Sequence, residues 1–442
     1  MKWVDDVSFF NLIVVEHKHR IMIVIPPSLG HVMKTIQFYY DIVCPYAYMA
    51  SQKIESIAKC NNSKIQWVPV LLGGIYKSLQ SEQVPSASWA PSKAKLGLID
   101  LEREARIQNI PLHKPKSHPQ RSVNAQRLLC FASENVRSEL THDLYKAYWK
   151  HGEDITQEET LRKYARKYGI LEDVWKKEEI KQKLFVHTNE VISKGGFGVP
   201  FVSVDNRYWW GQDRLHFLDA YLQNPTSVKH TYTTNYWPSF SQQSKNMPKP
   251  KIYFYHDFAS PFSYLGSTQI ENIAQRYGLE IEYKPILLGA LFHKIGTPIV
   301  PIFAMSQAKQ KYLMRDLQDW SDWWDVPFSF PKIFPMRTVT PLRASIVEPK
   351  IIPILYKSYW RDGRNIGDTE EFKNILEEHG FDAISIIEDC SKQEIKDLLF
   401  ENGREAEQYG ICGVPSMRVK DEIWWGQDRL KSMILSLQEF SS

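Results

Sequence analysis

Cys44 and Ser260 are the residues whose type and setting first suggest chemistry. Each follows a run of β-branched and aromatic residues and precedes a proline, so each is expected at the N-terminus of a helix. Unpaired N–H groups and the helix dipole make that end partly positive, which stabilises a thiolate and tends to lower the pKa of a cysteine. A serine there keeps its proton and can donate a hydrogen bond to the thiolate of a bound thiol. Both residues could also be plain helix caps, a role that serine fills better than cysteine.

A valine–proline pair opens a later strand in each half of the chain, as Val199-Pro200 and Val414-Pro415. In a thioredoxin-like arrangement such a proline is expected to be cis and to face the first helix. The valine then exposes its backbone N–H and C=O groups, with which an extended peptide can pair as a strand does. The alternative is an ordinary trans proline at a strand start.

A Gly-Gln-Asp-Arg segment opens the last helix of each half. Its candidate binding residues are Gln212 and Asp213 in the first half and Gln427 and Asp428 in the second. A carboxylate can bind the N–H groups at such a helix start, and an ammonium group can bind the aspartate, as the γ-glutamyl end of glutathione would require. Alternatively, the aspartates are favoured there by the helix dipole, and Arg214 and Arg429 are structural ion-pair partners.

An internal repeat relates all these positions. Ile36–Tyr48 aligns with Ile252–Tyr264, and Trp209–Leu215 recurs unchanged as Trp424–Leu430. A period of this length indicates a duplicated domain and excludes a solenoid of small repeats.

Each repeat is expected to read strand, helix, strand, a long helical stretch, strand, strand, helix. In the first copy the helical stretch covers residues 92–194. This order predicts an α/β fold of two tandem thioredoxin-like domains, each with a long helical insertion. The expected divisions are an extension outside the fold at 1–32, domain 1 at 33–222, a linker at 223–251 and domain 2 at 252–440. A weak signal anchor is the alternative for the extension. Tyr232, Tyr236 and Trp237 suggest that part of the linker packs on a domain.

Composition excludes several classes of protein. The net charge of +4 gives no reason to expect nucleic-acid binding. The five cysteines form no C-x-x-C pair, so neither a disulfide framework nor a metal site is expected. Apolar runs are shorter than the roughly 18 residues that span a bilayer, so we expect no membrane association and a reducing, cytoplasmic location.

Together these motifs resemble the kappa-class glutathione transferases and the 2-hydroxychromene-2-carboxylate isomerases, which have a DsbA-like thioredoxin fold. The second copy carries the resemblance best, in Asp257–Tyr264, Gly413–Pro415 and Trp425–Arg429. The resemblance implies glutathione as cofactor and a small aromatic or unsaturated electrophile as substrate. It implies that Ser260 contacts the glutathione sulfur, that Val414 offers backbone bonds, and that Gln427 and Asp428 hold the γ-glutamyl group. Members of this family form dimers, so the two copies could pack as an internal pseudo-dimer.

The first copy departs from this pattern. Cys44 replaces the serine, and Ala47 stands where a dithiol oxidoreductase has its second cysteine. A thiol–disulfide oxidoreductase or peroxidase using Cys44 is therefore one alternative, and a partly non-catalytic binding module is another. Lys77, expected on a loop after the second strand, could recognise an acidic substrate or simply be solvated. Its counterpart is His293, which suggests that the two sites do not share one substrate.

Overall fold

The computed structural model describes residues 33–225, 236–238 and 250–438 with their side chains, and the backbone alone of residues 13–17, 20–24 and 439. Strands β1 (Ile13–His17) and β2 (Arg20–Val24) form an antiparallel two-stranded sheet of their own. The remainder of the expected extension at 1–32 lies outside the described residues.

The first domain alternates strands and helices in the expected order. Its elements are β3 (Thr35–Tyr40), α1 (Pro45–Cys60), β4 (Lys64–Pro69), α2 (Leu72–Ser78), α3 (Pro91–Ile107), α4 (Val123–Phe131), α5 (Glu134–Trp149), α6 (Glu158–Lys167), α7 (Glu178–Ser193), β5 (Phe201–Val204), β6 (Arg207–Trp210) and α8 (Leu215–Gln223). The closing helix, expected from Gln212, begins instead with a 3-10 turn at Gln212–Arg214.

The second domain repeats this order. Its elements are β7 (Lys251–His256), α9 (Pro261–Tyr277), β8 (Glu280–Pro285), α10 (Leu288–Ile295), α11 (Gln307–Trp324), α12 (Val339–Val347), α13 (Ile352–Trp360), α14 (Thr369–Glu378), α15 (Ala383–Asp389), α16 (Gln393–Gln408), β9 (Ser416–Val419), β10 (Glu422–Trp425) and α17 (Leu430–Glu439). A 3-10 turn at Gln427–Arg429 again precedes the closing helix.

Each domain has one four-stranded sheet, in the orders β4-β3-β5-β6 and β8-β7-β9-β10. The first two strands of each domain are parallel, and the remaining pairs are antiparallel. Because parallel strands need a crossover, α1 and α9 run between them, and their N-termini lie at the edge where β3 and β7 end. The predicted α/β fold of two thioredoxin-like domains is confirmed.

The domains contact each other through reciprocal helices. Helix α3 of the first domain contacts β10, where Arg103 donates hydrogen bonds to the Ile423 carbonyl (3.1 Å) and the Glu422 carboxylate (2.9 Å). In the same way α11 of the second domain contacts β6, where the Tyr312 hydroxyl bonds both backbone groups of Trp210. One apolar core therefore includes buried side chains of both domains.

Part of the linker packs against the domains, as predicted. The Tyr236 ring lies 5.4 Å from the Trp323 ring and 5.0 Å from the Trp237 ring. The Pro238 carbonyl accepts a hydrogen bond from the Tyr277 hydroxyl (2.7 Å). Tyr232, which was expected to contribute, lies outside the described residues. Over the part of the chain that the structure describes, no helix is both long and apolar enough to cross a membrane.

Candidate functional site

Cys44 and Ser260 occupy the N-cap positions of α1 and α9, each followed by proline in the first turn. Ser260 is a side-chain N-cap, since its hydroxyl oxygen accepts a hydrogen bond from the Ser263 N–H at 3.1 Å. The Cys44 side chain makes no such cap bond. The helix start is thus better satisfied in the second domain, as the capping preferences of serine and cysteine require.

Both predicted cis peptide bonds, Val199–Pro200 and Val414–Pro415, are present. The Ser260 hydroxyl donates a hydrogen bond to the Val414 carbonyl (3.1 Å), and the Cys44 thiol donates one to the Val199 carbonyl (3.2 Å). The structure therefore brings together two segments of each domain that are far apart in sequence.

The backbone N–H of Val414 makes no hydrogen bond with another described residue, nor does that of Val199. A buried strand edge that carries a free N–H beside a C=O group can pair with an extended peptide. Each domain therefore has a backbone edge beside the helix N-terminus that suits a short peptide ligand.

A buried aspartate fixes each turn between strand and helix. Asp257 accepts hydrogen bonds from the N–H groups of Ala259 (3.0 Å) and Leu288 (2.9 Å), which joins the Ser260 turn to the start of α10. Asp41 does the same in the first domain, where it also accepts a bond from the Ser122 hydroxyl (3.0 Å). Burial raises the pKa of both Asp41 and Asp257 to about 6. Sequence reasoning aligned this aspartate in both copies without giving it a role.

The expected lowering of the Cys44 pKa is wrong. Burial raises the pKa of the Cys44 thiol to about 12, although the N–H groups of Ala47 and Tyr46 act in the opposite direction. The side chain is only 5% exposed, so the desolvation of a thiolate there outweighs the effect of the helix N-terminus. Cys44 is a protonated thiol at neutral pH.

The two glutamines of the Gly-Gln-Asp-Arg segments differ in their partners. The Gln212 amide is hydrogen-bonded to Lys53 (3.3 Å), Gln108 (3.1 Å) and Glu104 (3.3 Å). The Gln427 amide makes no hydrogen bond to any described residue, although the residue is only 3% exposed. Its amide group is therefore available to a ligand, whereas that of Gln212 is already engaged.

Gln427 lies beside the cis-proline and the first helix. A side chain at Gly266 of α9 would meet the Pro415 ring at 3.2 Å and the Gln427 Cβ at 3.5 Å. Glycine at this position thus permits close contact of three segments, namely α9, the cis-proline and the closing 3-10 turn. These segments also carry Ser260, Val414 and Asp428.

Asp213 and Asp428 lie at the domain interface in what we term the Asp–Arg cluster. It consists of four carboxylates and two guanidinium groups, from Asp100, Asp213, Arg214, Asp316, Asp428 and Arg429. The contacts are reciprocal, because Arg429 binds Asp213 (2.8 Å) and Arg214 binds Asp428 (2.9 Å). The sequence left two roles open for this segment, and in the structure the two arginines are ion-pair partners.

The cluster holds more carboxylates than guanidinium groups. Although burial opposes it, the guanidinium groups of Arg214 and Arg429 hold the pKa of Asp213 well below its usual range. Burial raises the pKa of Asp100 and of Asp316 despite their own arginine contacts. The Arg103 guanidinium also lies 4.0 Å from Asp100, so the four carboxylates face three guanidinium groups and remain in excess by one.

Lys93 of α3 lies against the second domain. Its ammonium nitrogen is 4.7 Å from the centre of the Trp89 ring and 5.6 Å from that of Trp425. The Trp425 ring in turn covers Gly413, directly before Val414. Burial lowers the pKa of Lys93, and its side chain makes no ion pair with a described carboxylate. Sequence reasoning missed this residue, because the contact joins two domains.

Lys77 and His293 are exposed and lie in the last turns of the short helices α2 and α10. The expectation that Lys77 lies on a loop is wrong, because the run after each second strand forms one to two helical turns. All five cysteines are free thiols. Among the described residues no group of three or more histidine, cysteine or acidic side chains is placed to hold a metal ion.

Comparison with known proteins agrees with this architecture. The model of the DSBA-like thioredoxin domain family matches residues 35–223 and 251–438. The 2-hydroxychromene-2-carboxylate isomerase of Sphingobium xenophagum is 30% identical over 189 residues, which cover 40% of this chain and 93% of that protein. Glutathione S-transferase kappa 1 of Rattus norvegicus is 26% identical over 213 residues, covering 44% and 92%. A solved structure of a 2-hydroxychromene-2-carboxylate isomerase is 27% identical, covers 43% of this chain and 95% of its own, and has a TM-score of 0.40.

Proposed function

The chain belongs to the DSBA-like thioredoxin domain family, in two tandem copies, and from this premise we propose that it is a glutathione-dependent isomerase or transferase of small aromatic or unsaturated substrates. The observation that carries the proposal is the contact between the Ser260 hydroxyl and the Val414 carbonyl at the N-terminus of α9. A hydroxyl at this point can donate to a ligand sulfur that lies beside a free backbone edge.

The residues around Ser260 fit glutathione. The free N–H of Val414 suits the cysteinyl residue of the tripeptide. The Gln427 amide and the N–H groups of the closing 3-10 turn suit the γ-glutamyl carboxylate, and the excess of carboxylates in the Asp–Arg cluster suits its ammonium group. Lys93, between two tryptophan rings, supplies a positive charge for the remaining carboxylate.

Glutathione bound there would supply a thiolate nucleophile that adds to an electrophilic carbon of the substrate. The Ser260 hydroxyl would then donate its hydrogen bond to the sulfur in place of the Val414 carbonyl, and the serine oxygen would still accept the Ser263 N–H. The positive end of α9 and the Ser260 hydroxyl would together oppose the cost of burying a thiolate there. Ser260 is 4% exposed, about as buried as Cys44 at 5%.

We place the catalytic site in the second domain. In the first domain the buried Cys44 has its pKa raised to about 12 and Gln212 is hydrogen-bonded within the protein. Neither a reactive thiolate nor a free amide is available there. This weakens the alternative of a thiol–disulfide oxidoreductase that uses Cys44, and it favours a binding or structural role for the first copy.

The reciprocal contacts of α3 and α11 support an internal pseudo-dimer, in which one chain contains the pair of domains that two subunits form in a dimer. Static light scattering should then give the mass of a single chain. An obligate dimer of chains would contradict this part of the proposal. The free thiols also fit a reducing, cytoplasmic location.

Calorimetric titration with glutathione tests the proposal, followed by turnover of 2-hydroxychromene-2-carboxylate and of a chloro-dinitrobenzene probe. We expect one glutathione per chain, with turnover lost in Ser260→Ala and kept in Cys44→Ala. Absence of glutathione binding by the folded chain would contradict the proposal. Turnover that depends on Cys44 and survives Ser260→Ala would favour thiol–disulfide chemistry instead.

A further inference from the structure

A cleft on the first domain, away from the Cys44 helix start, carries a concentrated positive charge. It has a volume of about 510 Å³ and lies between the segment that follows α3 and the turn that follows α5. We term it the basic cleft. Its basic lining residues are His113, Lys114, Lys116, Lys150 and His151.

These basic side chains have no acidic partners. None of the five forms an ion pair with a described carboxylate, whereas nearby lysines do, such as Lys163 with Glu153 and Lys167 with Asp143. The one acidic residue of the lining, Asp154, is engaged elsewhere. Its carboxylate accepts hydrogen bonds from the N–H (2.9 Å) and hydroxyl (2.6 Å) of Thr156. These neutral donors leave Asp154 its negative charge, so three lysines face one carboxylate and the cleft keeps a net positive charge, in a chain whose net charge is only +4.

The backbone beneath these side chains is held in place. The His113 N–H donates to the Trp149 carbonyl at 2.6 Å, and the buried Gln120 amide bonds both the Ser117 hydroxyl (2.8 Å) and the Ile155 N–H (3.0 Å). The two walls of the cleft are therefore fixed relative to each other. An anion that enters needs to order only the lysine side chains.

The second domain serves as an internal comparison. Aligned on the cis prolines Pro119 and Pro335, Lys114 and Ser117 correspond to Phe330 and Ile333, whereas Lys116 corresponds to another lysine, Lys332. Where the first domain has Lys150 and His151, the second has Arg361 paired with Asp362 at 2.7 Å. Two of the three lysines of the basic cleft therefore have no unpaired basic counterpart in the second domain, so most of the charge of the cleft does not follow from the fold.

We propose that the basic cleft binds a compact small molecule that carries two or more negative charges, such as a phosphate-bearing or polycarboxylate anion. Three lysines that converge on one fixed cleft match closely spaced negative charges. Trp149, whose carbonyl accepts the His113 N–H beneath the cleft, also donates its ring N–H to the Ile42 carbonyl (2.8 Å) in the turn before Cys44. The site is separate from the proposed glutathione site, and its existence does not depend on that proposal.

The test is calorimetric titration of the full chain at fixed ionic strength with pyrophosphate and, separately, with citrate. The cleft variant combines Lys114→Ala, Lys116→Ala and Lys150→Ala, all at exposed positions. The control variant combines Lys59→Ala, Lys332→Ala and Lys350→Ala, which remove the same charge from other exposed positions. Circular dichroism checks that both variants are folded.

We expect saturable binding of one anion per chain, weakened at least about tenfold in the cleft variant and changed by less than about twofold in the control. Binding of pyrophosphate alone would assign a phosphate ligand, and binding of citrate alone a polycarboxylate. Absence of saturable binding to the wild-type chain would overturn the proposal, and so would an equal loss in both variants.

Discussion

The two helix starts of this chain have the same backbone and different side chains. At Ser260 a hydroxyl caps the helix and bonds the Val414 carbonyl, and the neighbouring Gln427 amide is free. At Cys44 a buried thiol takes the place of the hydroxyl, and Gln212 is bonded to three side chains. The comparison teaches that the fold preserves the geometry of such a site, while its chemistry depends on a few side chains that can differ between copies.

A second difference lies in the surfaces beside the two sites. The segment before the cis-proline Pro119 of the first domain carries lysines and histidines, and the corresponding segment of the second domain precedes the cis-proline Pro335. That of the second domain carries aromatic rings, with Phe334 4.9 Å from Phe330 and 6.3 Å from Phe303. Phe303 and Ile333 remain largely exposed. The two copies therefore present surfaces of different character to solvent. That the two sites do not share one substrate stays a prediction.

The largest expected effect concerns the Asp–Arg cluster, where the two copies make equivalent contacts. Removing either guanidinium of the Asp–Arg cluster, by Arg214→Met or Arg429→Met, leaves buried carboxylates with one positive partner fewer. We expect each change to lower the free energy of unfolding by about 3–5 kcal/mol, and by similar amounts because the contacts are reciprocal. Urea denaturation measures this, with the exposed Arg166→Met as control. A decrease in the free energy of unfolding below about 1 kcal/mol would contradict the prediction. Strongly unequal decreases would show that the two arginines are not equivalent.

The next effect tests where the copies differ. Ser260→Ala removes the donor proposed for the ligand sulfur, and we expect kcat/KM with glutathione and an aromatic electrophile to fall about 10²–10³-fold. Cys44→Ala should change kcat/KM by less than about twofold, because the thiol is buried and protonated. Steady-state kinetics of the two variants decide the matter. Equal losses would mean that both copies are catalytic.

A smaller effect concerns the strand before each helix start. His256 is fully buried, and burial lowers its pKa to about 3, whereas its counterpart in the first domain is Tyr40. The unfolded chain takes up a proton at this residue below about pH 6.5, and the folded chain does so only near pH 3. Stability due to this residue is therefore complete above pH 6.5 and is lost on acidification, by about 1.4 kcal/mol per pH unit.

In His256→Phe this dependence should disappear, so the variant gains stability relative to the wild type as the pH falls from about 6.5 towards 3. Urea denaturation of both proteins at several pH values gives the difference. A difference that stays constant across this range would show that the pKa of His256 is the same in the folded and unfolded chain, which contradicts the prediction.

The smallest effect separates the two glutamines. Gln427→Ala removes one amide from the proposed γ-glutamyl contacts, which should weaken glutathione binding about five- to tenfold. Gln212→Ala should leave the affinity within about twofold, since that amide is engaged within the protein. Calorimetry with glutathione measures both changes, and a greater loss in the Gln212 variant would reverse the assignment of the site to the second domain.

Much of the fold could be predicted from the sequence, because it depends on features that are local in the chain. The strand before Cys44, the prolines at 45 and 261 and the repeated Trp209–Leu215 segment each reflect short-range structure. The order of strands and helices within each repeat then indicated a thioredoxin-like fold. Both cis prolines followed from that arrangement.

The electrostatics of the site could not be predicted in the same way. The pKa of Cys44 is decided by how deeply the thiol is buried, which the helix-start pattern does not contain. Ion pairing was one of the two roles considered for the arginines at 214 and 429, but their shortest ion pairs are with aspartates of the other domain. Lys93 escaped notice for the same reason. Long-range contacts between copies leave no local signal in a single sequence.

Helix α3 makes the first domain part of the surroundings of the proposed site in the second. Its Asp100 and Arg103 bind Arg429 and Glu422 of the second domain, and its Lys93 lies over Trp425. A substitution at position 44 leaves all these contacts in place. A substitution in α3 alters the neighbouring domain directly, so the two copies are coupled through this helix whatever chemistry the first copy retains.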